Sequence, residues 1–277
     1  MVADMVRDQG ASLRKALRLS GCSRKAYYYH HAKTRSIPPD PYMVEKVKEV
    51  TVQRPLYGTR RMAATLRRKL GRPVNRKRIQ RIYRQLGWIQ PQKTKRQLLG
   101  AAYDRKPKPA RPNELWEADL TCIHCGADGW AYLFNVIDVV SREWISYVFD
   151  TYAVKENAIL SVEKAVIKHP EAIGVRLRTD HGSQYGSNAL KESMRILGIK
   201  QEFIAVNTPE QNGHMESFHK TLKREYVWTR DFQSFQEAAE TIQEAYIDYN
   251  QHRIHSALDY QTPYEYLAKI KVTKNDA

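Results

Sequence analysis

Cysteine is scarce in this chain. Of 277 residues only Cys22, Cys122 and Cys125 are cysteines, too few and of the wrong parity for a disulfide framework, which points to a reducing compartment. No uninterrupted apolar run approaches the roughly 20 residues that a membrane span needs. The opening, with Ala3-Asp4 and Arg7-Asp8 close behind Met1, does not read as a signal peptide. A cytoplasmic protein with no membrane partner is therefore expected. Heptad repeats are also missing, which leaves no coiled-coil segment to expect. Acidic residues are outnumbered: 30 Asp and Glu face 46 Lys and Arg, for a formal net charge of +16. Such an excess favours a polyanionic partner, nucleic acid foremost, and a nucleoid-associated location.

With 42% hydrophobic residues the chain can bury a substantial core, and its patterning divides it into five parts. Residues 1–38 form a small helical segment. Within it, 12–31 reads as two short helices broken at Gly21-Cys22, with Ser12 and Ser23 as N-caps, and fits a helix-turn-helix or a plain helical hairpin equally. Residues 39–91 read as a helix-turn-helix DNA-binding domain. Asp40-Pro41 opens a helix that stops at Arg54-Pro55; Thr59 caps a second; Gly71-Arg72-Pro73 turns the chain; Asn75 caps a third, 76–87, suited to the major groove. Between Arg60 and Arg84 there are eleven basic residues and no acidic one, and Arg60, Arg61, Arg76, Lys77, Arg78, Arg81 and Arg84 are the candidate DNA contacts. Residues 92–113, where Pro107, Pro109 and Pro112 alternate with Lys106, Lys108 and Arg111, form a basic linker.

The next part, 114–229, changes period. Leu115 to Cys122, Trp130 to Val140 and Glu143 to Phe149 read as three strands of an antiparallel meander. A helix at 154–168, a strand at 174–179, a helix at 187–197 and a strand at 199–205 follow, so the fold class is α/β, a mixed sheet covered by helices on both faces. Residues 230–277 are a C-terminal helix and tail. Asp119 lies inside the first strand, where a carboxylate costs free energy unless it is paired or binds metal. Asp180 ends the fourth strand beside a glycine turn, the place where open α/β sheets set their ligands.

The third acid sits on a helix. Thr208-Pro209-Glu210-Gln211 has the form of a capping box, and Met215, Phe218, Leu222 and Tyr226 then recur as one buried stripe. Glu216 lies outside the stripe. Seven steps at about 100° each bring Lys223 to within about 20° of it around the helix, with Asn212 near the same line.

Sixty residues separate Asp119 from Asp180, and 35 separate Asp180 from Glu216. That order and final spacing resemble the Asp-Asp-Glu core of retroviral integrases and bacterial transposases. Trp116 with Asp119-Leu120-Thr121, then Thr179-Asp180-His181-Gly182-Ser183-Gln184-Tyr185, Glu216-Ser217 with Leu222-Lys223, and the tail Asn250, Arg253, His255, Leu258 and Thr262-Pro263 look like the second-frame transposase of the insertion-sequence-3 family, over roughly residues 40–268. The resemblance implies a ribonuclease-H-like catalytic core on which Asp119, Asp180 and Glu216 converge as catalytic residues and ligands of Mg²⁺ or Mn²⁺, two ions in all. Asp119 would bridge them, while Asp180 and Glu216 would each complete one site. The chemistry of hard cations, held by a few carboxylates and completed by water and phosphate oxygens, agrees. Lys220 and Lys223 would contact DNA. Partners so implied are double-stranded DNA, as element ends and as target, further copies of the chain, and a small upstream-frame subunit.

Some features stand apart from the family's pattern. Glu117-Ala118 precedes Asp119 where relatives often carry small hydroxylated residues, and Glu117, on the same strand face, is a candidate to compete for metal. Cys122-Ile123-His124-Cys125 has metal-ligand spacing without a matching second half. His181 and His214 adjoin the acids and read as substrate-positioning or merely polar. Two rival functions compete with strand transfer: a helix-turn-helix regulator, which leaves the three spaced acids as coincidence, and a ribonuclease-H-like nuclease or resolvase, which shares the hydrolytic half of the reaction.

Overall fold

The computed structural model describes residues 2, 6, 10, 12–28, 38–89, 109–205 and 212–275. Helix α1, Leu13–Ser20, starts where the Ser12 hydroxyl accepts from the Lys15 N–H and stops at Gly21, whose φ of 65° is left-handed. A second short helix at 24–28 follows, with Ser23 Oγ accepting from the Ala26 N–H at 3.1 Å; residues 29–31 of the expected pair lie outside the described residues.

Three helices then share one core. Helix α2, Pro41–Gln53, is capped by Asp40, and α4, Arg76–Gln85, by Asn75, each side chain accepting an N–H of the first turn. Helix α3, Thr59–Leu70, differs from expectation: Thr59 is its first residue, Gly58 occupies the cap position, and no side chain caps it. Met43, Val47, Val50, Met62, Leu66, Ile79 and Ile82 interlock between the three. Their amphipathic spacing puts the arginines and lysines on the outside.

The larger part is built on a five-stranded sheet of order β3-β2-β1-β4-β5. Strands β1, Leu115–His124, β2, Trp130–Asp138, and β3, Trp144–Asp150, are antiparallel neighbours, while β4, Arg176–Thr179, lies parallel to β1 and β5, Lys200–Phe203, parallel to β4. Parallel neighbours need crossovers, and helix α5, Lys155–Lys168, the single turn α6, Ser183–Gly186, and α7, Asn188–Ile196, supply them. Period-two alternation decides which residues go where. Trp116, Ala118, Phe134 and Val136 face α5 and α7, whereas Ile123, Leu133, Ile137 and Trp144 face α8, Gly213–Leu222, and α9, Phe235–Gln251. Fully burying such side chains stabilises by about 1.5–3 kcal/mol each, so the two apolar faces, not the polar groups between them, hold the sheet. This is the ribonuclease-H-like arrangement.

Helix α8 departs from expectation at both ends. Its first helical residue is Gly213 behind Asn212, and the capping-box residues Thr208 to Gln211 lie outside the described residues. After Leu222 the winding widens into a π-helical turn, Lys223–Val227. The proline-rich stretch from 92 to 108 also lies outside the described residues, but Asn113 is fixed to the core: its N–H donates to Asp138 at 2.8 Å and its side chain accepts from Trp116 Nε1 at 3.0 Å.

The helical part docks on the C-terminal helices through arginines. Arg54 pairs with Asp248 at 2.5 Å, Arg61 with Glu225 at 3.1 Å, and Arg68 donates to Glu265 at 3.0 Å. Those three arginines recur every seven residues. Glu225 is shared, since Arg253 reaches it through Nε and Nη2, both at 2.8 Å. A cavity of about 740 Å³ opens between the two parts, lined by Arg54, Tyr57, Tyr226, Asp248 and Ile254 among others, and none of the three candidate acids borders it. The final helix, α10, spans Pro263–Asn275. No helix of the described residues is long and apolar enough to cross a membrane.

Candidate active site

Asp119 sits mid-strand on β1, opposite Asn135 of β2, on the face that receives α8. Its Oδ1 accepts from the Leu120 N–H at 2.8 Å, its Oδ2 accepts from Asn212 Nδ2 at 3.2 Å, and His219 Nδ1 stands 3.8 Å from Oδ2. Burial pushes its carboxyl up to about 7; the charge of Asp180 adds to this, while the Leu120 N–H and the Asn212 amide oppose it. The charge of Asp180 thus reaches Asp119 across the end of β4.

Asp180 follows the last residue of β4 and folds back so that Oδ1 accepts the Gly182 N–H at 2.9 Å. A Cβ at residue 182 would stand 3.0 Å from that carboxylate oxygen, so any larger residue there would have to displace the Asp180 side chain by a few tenths of an ångström. Tyr185, buried on the next turn, feels both acids. Its phenol is raised well above the ordinary value by burial and by the charges of Asp119 and Asp180, and its hydroxyl has no hydrogen-bond partner among the described residues. Asn212 Oδ1, on the amide that holds Asp119, is likewise buried and without a partner among the described residues.

Glu216 occupies the first turn of α8, on the exposed side. The helix is tied to Asp119 through Asn212, with His219 alongside at 3.8 Å, but Glu216 itself does not join them: among the described residues no group of three or more His, Cys, Asp and Glu is placed to hold a metal ion. Lys220 is exposed, and Lys223 stands near enough to His219 to depress it electrostatically.

His219 escaped the sequence reading. It lies largely buried three residues after Glu216, its side chain 14% exposed, with burial first and Lys223 second holding its pKa down to about 3, so the ring is neutral at ordinary pH. Asn135 Nδ2 donates to Leu133 O at 3.1 Å and faces His219 Nε2 at 3.2 Å. The amide orientation fixed by Leu133 makes Nε2 the acceptor, which puts the ring proton on Nδ1, toward Asp119. The polar Asn135 inside an apolar strand was the available signal.

Glu117 is no competitor for metal. Its carboxylate is fully buried and occupied by Arg178 and by the Met215 N–H, with His214 Nδ1 at 3.4 Å. His181 instead stacks on Phe203, ring centroids 5.0 Å apart. In the Cys-x-His-Cys stretch the groups diverge: Cys122 is exposed, Cys125 is buried, and His124 sits edge-on to Trp130.

The basic candidates divide in the same way. Arg61 is engaged with Glu225, and Arg78 with Asp40 at 2.5 Å. Arg60, Arg76, Lys77, Arg81 and Arg84 are exposed.

Comparison with known proteins places these observations. Two integrase core domain models match residues 109–209 and 197–263, and an HTH-like domain model matches residues 43–96. The uncharacterized 31.7 kDa protein of insertion element IS407 from Burkholderia multivorans is 28% identical over 264 residues, 95% of this chain and 92% of that protein. Transposase InsD of the IS2 elements of Escherichia coli is 30% identical over 237 residues, 82% of this chain and 79% of that one. Among solved structures, the HTLV-2 integrase catalytic core domain in complex with magnesium aligns over 57% of this chain and 98% of its own, at 18% identity and a TM-score of 0.44. Integrase-core matches on the sheet, an HTH-like match ahead of them, and transposase InsD as a relative over about four fifths of both chains establish that the chain belongs to the insertion-element transposases with an integrase core.

Proposed function

We propose that the transposase cuts and joins DNA strands at the ends of a mobile element with Asp119, Asp180 and Glu216 as its catalytic acids and divalent-metal ligands. The observation that carries this is the set of oxygens gathered about Asp119: Asn212 reaches its Oδ2 at 3.2 Å, the charge of Asp180 adds to the burial that pushes it up to about 7, and among the described residues the oxygens of Tyr185 and Asn212 have no hydrogen-bond partner. An all-oxygen set of that kind, short of positive charge, fits Mg²⁺ or Mn²⁺ with bound water. Asp119 and Asp180 would hold the ions, and Glu216 would complete the set from α8. When bound, a pair of such ions supplies Lewis-acid activation of the attacking oxygen and charge neutralisation at the leaving one.

The rest is the chain's own work. Asn212 and the Leu120 N–H orient the Asp119 carboxylate, and neutral His219 keeps its Nδ1 proton toward the same group. Lys220 and Lys223 hold backbone phosphates next to α8, while Arg76, Lys77, Arg81 and Arg84 of α4 supply the electrostatic part of end recognition. Water serves as nucleophile for cleavage and a DNA 3′-hydroxyl for joining, so no protein nucleophile is needed. The working form on DNA is an oligomer, with an upstream-frame subunit as a further partner, in the cytoplasm at the nucleoid.

Incubating the full chain with a labelled element end, a target duplex and Mg²⁺ tests the reading. Nicked ends together with joined products are expected. Nicking without joining would leave a nuclease, and DNA binding without either would leave a regulator.

A further inference from the structure

Every α-helix leaves its first four N–H groups open, and among the described residues the N-cap Asn212 makes no cap hydrogen bond to α8, its amide being directed to Asp119. One of the open groups is met from the sheet. Glu117 Oε2 accepts the Met215 N–H at 3.1 Å. The Glu117 side chain is completely buried, and its other oxygen lies 3.4 Å from Arg178 Nη1 and 3.4 Å from His214 Nδ1. Arg178 is anchored in turn, with Nε donating to Glu202 Oε1 at 2.9 Å across to β5.

A buried carboxylate costs free energy unless opposite charge surrounds it, and here a guanidinium and the positive end of a helix do so. The position of this bond in the chain gives it a function. Glu117 is two residues from Asp119 on the same face of β1, and Met215 is the residue before Glu216. A single hydrogen bond thus ties the segment bearing one candidate acid to the segment bearing another.

We propose that Glu117 is a positioning residue: its carboxylate, braced by Arg178, serves as a cap of α8 and fixes the turn that carries Glu216 against the strand that carries Asp119. This rests on Glu216 being a catalytic acid. Both carboxylate oxygens are committed inside the protein, so Glu117 acts through α8 and touches neither DNA nor metal.

Glu117→Met keeps the length of the side chain and removes the acceptor, whereas Glu117→Gln retains an oxygen that can accept the Met215 N–H. In the full chain without metal, Glu117→Met is expected to speed hydrogen exchange at the Met215 amide by about tenfold or more, with the Val136 amide of β2 unchanged, and Glu117→Gln to stay within about threefold of the parent. With element-end DNA at saturation and Mg²⁺ present, single-turnover cleavage by Glu117→Met should fall by about tenfold or more, with the half-saturating DNA concentration unchanged. Glu117→Gln should restore most of the rate. Unchanged exchange in Glu117→Met, or exchange in Glu117→Gln as fast as in Glu117→Met, overturns the proposal. So does full-rate cleavage by Glu117→Met while Glu216→Gln is inactive. If Glu216→Gln itself cleaves at the parental rate, the fault lies with the reading of Glu216 instead. Should Glu117→Met fail to fold, the double variant with Arg178→Met, which strands no buried charge, carries the same measurements.

Discussion

Asn212 donates its side-chain amide to Asp119 across 3.2 Å, joining the residue that opens helix α8 to the centre of strand β1. The carboxylate so held is an uncomfortable one, because burial and Asp180 push it up to about 7.

That discomfort predicts a stability effect opposite to the usual one for losing a charge. A carboxyl with a raised folded pKa binds more protons folded than unfolded between about pH 4 and 7, so its destabilising effect is absent below that window and complete above it. Asp119→Asn should abolish cleavage and joining, yet stabilise the metal-free protein at pH 8 by up to about 4 kcal/mol. Thermal melts at pH 8 and pH 4 check this, with the gain vanishing at pH 4. Added Mg²⁺ should raise the melting temperature of the parent and leave the variant unmoved.

A second pair of variants separates two roles on one helix. Glu216→Gln should leave element-end DNA bound and uncut, since it removes a metal-site carboxylate and no basic contact. Lys223→Ala removes an ammonium that positions phosphate, so it should weaken end binding and lower the cleavage rate at saturating DNA without abolishing it. DNA affinity and single-turnover rates measured in parallel distinguish the two. Loss of activity in neither variant would remove α8 from the chemistry.

Much of this was legible before the structure. The strand-helix order, the mixed sheet and the cap residues Ser12, Asp40 and Asn75 follow from local period and capping chemistry, which the chain writes within a few residues. What was hidden depends on residues far apart in sequence. Glu117 looked like a spare metal ligand, because nothing near it in sequence announces the Met215 N–H or Arg178. His219 reads as one more polar helix position until Asn135 and Asp119 are folded against it. Arg61 counted among the DNA contacts because Glu225, 164 residues away, could not be seen.

The division among the arginines is itself testable. If the exposed residues of α4 neutralise phosphates, changing Arg76, Lys77, Arg81 and Arg84 together to Ala should flatten the log–log dependence of DNA affinity on salt by about 0.9 for each phosphate that is no longer neutralised. Arg61→Ala should leave that slope unchanged, because its partner is Glu225. A slope that falls by the same amount in Arg61→Ala would mean that the ion pair opens on DNA.

Glu225 carries the last prediction. It receives Arg253 through two bonds of 2.8 Å and Arg61 through one of 3.1 Å, and the side chains of Arg253, Glu225 and Arg61 are 3%, 13% and 30% exposed. Glu225→Gln would strand a nearly buried guanidinium, and breaking such a pair typically costs about 3–5 kcal/mol. Arg61→Ala removes a partner at the wet edge, for which about 1 kcal/mol or less is expected. The carboxyl of Glu225 is held below its ordinary range despite its burial, by Arg253 first and Arg61 second. Its stabilising effect is therefore present at neutral pH and lost as the pH falls through the lowered folded value. Urea unfolding at pH 7 should rank Glu225→Gln well below Arg61→Ala, and the gap between Glu225→Gln and the parent should close on acidification. Glu225→Leu combined with Arg253→Met, which strands no buried charge and leaves only the partly exposed Arg61 unpaired, should recover most of the stability. If the double variant is as unstable as Glu225→Gln, the cost lies in the packing of Arg253 against Tyr249 and not in the ion pair.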